Sequence, residues 1–206
     1  DIAVLNEVKF LKKHFELETL YFSNKFTLNP VSFLKQILYL ILNFNLDSKN
    51  DYRFRALEQN ELYFYPLSSK VENKLEEIFK SLIGINKVKV NEIEILQRKI
   101  KTVKSSKGVV WFDFKEICHS PRSSLDYIEI SKEFQTVIIS NMFKIKSDDI
   151  ARRFISLIDE CYDRKVKVII SADNNFKEIY EGSNLQEKFK RTISRLIEMQ
   201  SVDYLK

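Results

Sequence analysis

The stretch SDDIARRFISLIDECYDRKVKVIIS, residues 147–171, decides the fold class, because it contains one helix followed by one strand. Apolar side chains recur at helical spacing from Ile150 to Cys161. Asp148 and Asp149 lie in the first turn, where the helix dipole favours negative charge. The last seven residues form a β-branched run that is typical of a buried strand. A helix that leads directly into a buried strand predicts α/β alternation.

The same alternation continues on both sides of this stretch. A helix over 125–134 precedes a strand over 136–140, and a closing helix covers 185–200. Strands that are separated by helices favour parallel pairing. The sequence therefore predicts a C-terminal α/β part over 116–206.

The preceding residues divide into two further segments. Residues 1–48 show a helix, a strand and a second helix, whereas 49–115 is rich in short β segments. Within it, KVKVNEIEI at 87–95 alternates with a slip at Asn91 and Glu92, which predicts a strand with a β-bulge. This block is therefore predicted to be a β-rich insertion with antiparallel pairing.

Glycine is scarce in this sequence. The 206 residues contain three glycines, whereas average usage would give about fourteen. They stand alone at Gly84, Gly108 and Gly182, so neither a phosphate-binding loop nor a dinucleotide-binding turn can be written. The chain by itself is not expected to be a self-sufficient nucleotide enzyme.

Composition restricts the compartment and the partners. Lys and Arg total 34 against 29 Asp and Glu, and no run of five like charges occurs, so nucleic-acid binding is not indicated. Cys118 and Cys161 cannot build a disulfide framework and fit reduced thiols in the cytosol. The apolar stretch 33–44 is interrupted by Lys35 and is too short for a bilayer. We expect a cytoplasmic protein that is not transmembrane.

No metal site is predicted from the titratable residues. His14 and His119 are the only histidines, and the sequence places no set of Cys and His at the spacing of a zinc site. Helix capping explains Asp148 and Asp149, and solvation in a loop explains Asp173, more simply than magnesium binding does.

Three predicted strands end in similar polar residues, namely FSN at 22–24, ISN at 139–141 and ISAD at 170–173. Ligands collect beyond the carboxyl ends of parallel strands, so these residues could line a binding edge. Ser, Asn and Asp are also common where loops begin, and this simpler interpretation is favoured.

The closing helix carries two arginines on one face. Arg191 and Arg195 stand four residues apart, roughly opposite the apolar stripe of Phe189, Ile193 and Leu196. One interpretation is a pair of solvated or salt-bridged arginines, with Glu198 as a candidate partner. The other is phosphate recognition, for which planar bidentate donors are suited. Spacing alone favours the first.

Several longer blocks resemble a known family. They are WFDFKEICHSPRSSLDYIEIS (111–131), ARRFISLIDECYDRKVKVIISAD (151–173), FKRTISRLIEMQSVDYL (189–205) and, more loosely, DYRFRAL (51–57) and LYFSN (20–24). In this order they resemble the ZapE-type AAA+ ATPases, which include bacterial cell-division ATPases and mitochondrial "lactation elevated" ATPases. The resemblance is dense over 109–206 and loose over 1–57.

The resemblance implies an α/β fold with a partial P-loop NTPase (AAA+) core, and an oligomeric machine that uses ATP and Mg²⁺. It implies that Asn24 is a sensor-1-like residue, which holds the attacking water near the γ-phosphate. It also implies that Arg191, Arg195 or both act as sensor-2-like phosphate contacts. For a bacterial member, the implied protein partner is the tubulin-like division-ring protein.

The sequence departs from the family pattern at two places. Its first residues, Asp-Ile-Ala, resemble the segment just after the Walker B acids, so we expect a C-terminal portion that lacks Walker A and Walker B. The loop KFTLNPVSFL (25–34) is shorter than its family counterpart and has no arginine. Such a chain is expected not to bind or hydrolyse ATP alone, but to need a missing N-terminal half or neighbours in a homo-oligomer. The alternative is a non-catalytic protein-binding module or a degenerate gene fragment.

Overall fold

The computed structural model describes Leu57 and residues 61–205, which belong to the unit Asp47–Lys206. The helix, strand and helix predicted over 1–48, and Asn24 with them, lie outside the described residues. They stay predictions.

One mixed sheet forms the centre of the described part. Its strands are β1 (Tyr63–Phe64), β2 (Lys89–Ile95), β3 (Arg98–Ser106), β4 (Val109–Asp113), β5 (Thr136–Met142) and β6 (Lys167–Ala172). The order across the sheet is β1-β6-β5-β4-β3-β2. The pairs β1–β6, β6–β5 and β5–β4 are parallel, whereas the pairs β4–β3 and β3–β2 are antiparallel. The predicted α/β class is confirmed, and the sheet is consistent with a P-loop NTPase-like fold.

Helices connect the parallel strands, as the alternation predicts. Their bounds are α1 (Ser69–Ile83), α2 (Ser124–Glu133), α3 (Asp148–Asp163), α4 (Gln186–Glu198) and α5 (Val202–Leu205), with a π-helical turn over Lys115–His119. Local signals fix the ends of α1. The Ser68 hydroxyl accepts a hydrogen bond from the amide of Val71, and Gly84 follows the helix at φ 54°.

The parallel strands are buried on both faces, because helices cover each face. On β4, Val110 and Phe112 belong to the larger apolar cluster, which includes residues of α2, α3 and α4. Val109 and Trp111 belong to the other cluster, where the ring of Trp111 lies 6.0 Å from that of Phe79 on α1. The site described below therefore rests on a helix layer that is held to a rigid sheet.

The antiparallel part carries the predicted irregularity. The register between β2 and β3 shifts between Lys89 and Asn91, and Asn91 has φ 90°. The sheet also continues across position 115, because β4 pairs with β3 on one side and with β5 on the other. The division into segments 1–48, 49–115 and 116–206 stays a prediction.

Candidate functional site: two arginines on helix α4

Helix α4 brings Arg191 and Arg195 together and points both toward α3. Nη2 of Arg191 donates to Oδ2 of Asp159 at 2.7 Å. Nη1 of Arg195 forms an ion pair with Oδ1 of the same carboxylate, and its Nη2 lies 3.7 Å from Oδ1 of Asp163. One carboxylate therefore bridges the two guanidinium groups.

The salt-bridged interpretation of the arginines is correct in kind, but its candidate partner was wrong. Glu198 instead accepts a 2.7 Å hydrogen bond from the hydroxyl of Tyr162. That bond, followed by burial, raises the pKa of Tyr162. Glu198 therefore contributes to the site through the tyrosine, while the aspartates of α3 meet the arginines.

The apolar side of α4 fixes the direction of the arginines. Phe189, Thr192 and Leu196 are buried on that side. The ring of Phe189 stacks on Tyr180 at 4.8 Å and on Phe154 of α3 at 6.0 Å. Because this face is held in the core, the opposite face must carry the charged groups.

Two tyrosine rings and a lysine lie beside Arg195. Its guanidinium carbon lies 4.7 Å from the ring centre of Tyr162, which stacks on Tyr204 at 5.7 Å. Nζ of Lys165 lies beside both rings, 4.5 Å from the ring centre of Tyr204 and 5.7 Å from that of Tyr162. Both cations lie over aromatic rings, and the negative face of a ring attracts a positive charge.

The arginine site lies toward the amino ends of the parallel strands. Asp159 and Asp163 occupy the end of α3, which finishes just before β6 begins at Lys167. The carboxyl ends of β4, β5 and β6 lie at the other edge of the sheet. Since α3 has 16 residues, about 24 Å of helix separates its two ends. The structure therefore does not join the arginines to the strand-end polar residues.

Those strand-end residues meet each other at the carboxyl edge. The Ser171 hydroxyl accepts from the amide of Asn141 at 3.2 Å, and Nδ2 of Asn141 donates to Oδ2 of Asp113 at 2.8 Å. The Ser140 hydroxyl accepts from the indole of Trp111. These bonds connect neighbouring strands, so the described polar endings contribute to sheet pairing.

Comparison with known proteins identifies the chain's relatives. The family model described as AFG1-like ATPase matches residues 20–206. The chain belongs to the AFG1-like ATPase family. The resemblance to ZapE-type ATPases is thereby confirmed.

Three relatives of this AFG1-like chain show the extent of the similarity. "Cell division protein ZapE" of Escherichia coli K12 is 36% identical over 165 residues, which are 79% of this chain and 44% of the relative. "Uncharacterized protein C115.02c" of Schizosaccharomyces pombe is 36% identical over 139 residues, 66% of this chain and 31% of the relative. "Lactation elevated protein 1 homolog B" of Danio rerio is 27% identical over an alignment of 199 positions that covers 78% of this chain and 39% of the relative. The chain thus spans less than half the length of these relatives, and no solved structure matches it.

The described part of the chain has no clustered set of side chains that fits the magnesium ion an AFG1-like ATPase would use. Leu57 and residues 61–205 contain no group of three or more His, Cys, Asp or Glu side chains that could hold a metal ion. Asp148 has other partners, because Asn184 and the hydroxyl of Tyr180 donate to it and lower its pKa. The same part of the chain has no helix that is long and apolar enough to cross a bilayer.

Asp159 and Tyr162 of this AFG1-like chain were not among the predicted site residues. The sequence did contain a signal for this pairing: Asp159 and Asp163 are four residues apart, as are Arg191 and Arg195. Two helices that carry opposite charges at the same spacing can pair along their lengths. The choice of partner helix was not visible in either segment alone.

Proposed function

We propose that this chain takes part in ATP hydrolysis that is coupled to remodelling of a protein partner, as a portion of an AFG1-like ATPase. The family match over 20–206 supports this proposal, and so does the 36% identity to a cell division protein. By the same similarity, the partner class is a protein of the division ring, which is tubulin-like in bacteria. ATP and Mg²⁺ would be the cofactors.

The observation that carries the proposal is the pair of guanidinium groups on the polar face of α4. Arg191 is 58% exposed and can present several N–H donors to a phosphate, whereas Arg195 is 21% exposed. In this function one or both contact phosphate oxygens, and Asn24 orients the attacking water. Their distance from the described strand ends means that the phosphates would come from another part of the assembly. A neighbouring copy in a homo-oligomer, or the portion that the longer relatives carry outside the aligned region, could supply them.

A second candidate is a non-catalytic protein-binding module. The observation that favours it is the pairing of both arginines with Asp159, which gives them a structural role without any nucleotide. The two candidates differ in ATP turnover: the first requires turnover that depends on the arginine charges, and the second has none.

A chimera separates the two candidates. Residues 20–206, which match the family model, replace the corresponding region of the Escherichia coli ZapE relative, and release of phosphate from ATP is measured. We expect hydrolysis, and we expect Asn24→Ala and Arg191→Gln each to lower the rate about tenfold or more. The first removes the group that orients the attacking water, and the second removes a donor to the charge that develops on the phosphate. Lys190→Gln is the matched control on α4, since Lys190 is exposed and its ion pair among the described residues is the local one with Glu187.

Each outcome of the chimera has one meaning. A folded chimera that does not hydrolyse ATP contradicts the proposed function and favours the binding module. Hydrolysis that is equal in all variants keeps the ATPase function and removes Asn24 and Arg191 from the site.

A further inference from the structure

The two arginines of α4 have unequal surroundings. Arg195 has 21% of its side chain exposed, meets two aspartates and lies over the ring of Tyr162. Arg191 is 58% exposed, and its contact in the described part of the chain is the one with Asp159. Arg195 is therefore held from several directions, whereas Arg191 is held from one.

The two oxygens of Asp159 are also unequal. Its Oδ1 and Nη1 of Arg195 are both shielded from solvent, and among the described residues they face only each other. Its Oδ2 meets Nη2 of Arg191, which lies on an exposed side chain. Breaking the first contact would leave a buried charge without a partner, whereas breaking the second would expose Arg191 to water.

This asymmetry separates two roles that the sequence left open. We propose that Arg191 is the arginine that contacts phosphate, that Asp159 masks it until an anion takes its place, and that Arg195 is a positioning residue. The inference rests on the proposed function, because it assumes that a polyphosphate reaches this face. It goes further by assigning the contact to one arginine and by naming its competitor.

The mechanism of masking is competition between two anions for one cation. Asp159 and a phosphate group both offer oxygen acceptors to the same fork of N–H donors. Throughout the exchange, Arg195 keeps Oδ1 of Asp159 and the ring of Tyr162, so α4 stays docked on α3. Arg191 can then turn from Oδ2 toward the incoming anion without movement of the helix.

Binding of inorganic tripolyphosphate to the purified 206-residue chain tests this proposal. Affinities are obtained from the arginine Nε–Hε signals in NMR titrations. We expect weak binding to the unaltered chain and about three- to fivefold tighter binding to Asp159→Asn, a change equal to about 0.7–1 kcal/mol. Asparagine keeps Oδ1 as an acceptor for Arg195 and removes the competing charge. Asp163→Asn is the matched control, because Asp163 is exposed and, of the two arginines, has its described contact with Arg195. We expect the affinity of this variant to be unchanged.

Two further variants keep the proposal testable if Asp159→Asn does not fold. Arg191→Gln should lose the tripolyphosphate shift with nearly unchanged thermal stability, whereas Arg195→Gln should lower the melting temperature clearly. The double variant Asp159→Asn with Arg191→Gln should show no gain in affinity. Equal affinities of Asp159→Asn and the unaltered chain, a gain that survives loss of Arg191, or no binding by any variant would each overturn the proposal. ATP hydrolysis by the chimera is a separate measurement, so failure of the masking role and failure of the ATPase function give different results.

Discussion

The indole Nε1 of Trp111 donates a 2.9 Å hydrogen bond to the hydroxyl of Ser140, and both residues are buried. The bond joins β4 to β5 close to the edge where the polar strand endings meet. Ser140 also lies 3.4 Å from the carbonyl oxygen of Phe112, as a donor to it. The serine therefore belongs to the packing of the sheet.

Substitution Ser140→Ala should lower the free energy of unfolding by about 1–3 kcal/mol, because it leaves a buried indole N–H without an acceptor. Urea denaturation followed by fluorescence measures this, since Trp111 is the chain's single tryptophan. Ser194→Ala is the control: Ser194 is exposed on α4, and its loss should change the free energy by less than about 0.5 kcal/mol. Equal effects of the two variants would contradict the structural role of Ser140.

Acid should weaken the contact between α1 and β3. Nζ of Lys104 lies 2.6 Å from both carboxylate oxygens of Glu76, and this bond is the main cause that lowers the pKa of Glu76. A carboxyl whose pKa is lower in the folded state stabilises the fold above its unfolded pKa of about 4.3. That stabilisation is lost as the pH falls through the folded pKa.

The matching measurement compares the unfolding free energies of the unaltered chain and Glu76→Gln across pH. We expect a difference of up to about 1 kcal/mol near pH 7 that disappears in acid, because the pair is partly exposed. Glu77→Gln, at the exposed neighbouring position, should show no such pH dependence. A difference that is constant across pH would exclude this ion pair as its source.

Gly182 is required by the position of Tyr180. A Cβ at residue 182 would overlap the hydroxyl and ring of Tyr180. That ring cannot easily move, because it stacks on Phe189 and its hydroxyl bonds Asp148 and the amide of Leu185. Gly182→Ala should therefore cost about 1–3 kcal/mol of stability, the range for overpacking.

A double-mutant cycle with Tyr180→Leu isolates this clash. If overlap with the tyrosine is the cause, the cost of Gly182→Ala should shrink strongly in the Tyr180→Leu background. Ser183→Ala, at the exposed next position, provides the baseline. Additive costs would show that another contact limits residue 182.

The 206-residue chain should show no micromolar affinity for a fluorescent ATP analogue. Its three separate glycines provide no loop whose amides could surround phosphates, and the described carboxylates form no metal cluster. Fluorescence anisotropy measures this directly, with the ZapE chimera as the positive control. Micromolar binding by the chain alone would reveal a nucleotide site that neither the glycines nor the arginines of α4 predict.

Local signals made much of the described fold predictable. The slip at Asn91 and Glu92 and the first-turn acids Asp148 and Asp149 each depend on neighbours within a few residues. The structure has a register shift next to the first and the start of α3 at the second. Pairing between distant segments had no such signal. Nothing near Tyr63 indicates that it lies opposite Ile170 in a parallel pair.

The candidate site, too, was predictable only in its local features. The common face of Arg191 and Arg195 follows from helical periodicity, so it was visible in the sequence. Their partner Asp159 lies 32 residues before Arg191. Which helix covers α4 is decided by the packing of Phe189 against Phe154, and that packing depends on the whole core.

The place of β6 in the sheet determines how late in translation the sheet can be completed. Tyr63 of β1 leaves the ribosome 107 residues before Ile170, the residue opposite it on β6. Until then, β1 has no β6 beside it, and β5 has one side without its native neighbour. Sheet assembly must therefore finish after most of this chain has been translated. A premature stop codon before residue 167 would produce a chain in which β1 and β5 both lack their shared neighbour β6. Unpaired strand edges promote aggregation, so we expect this truncated chain to be aggregated or degraded.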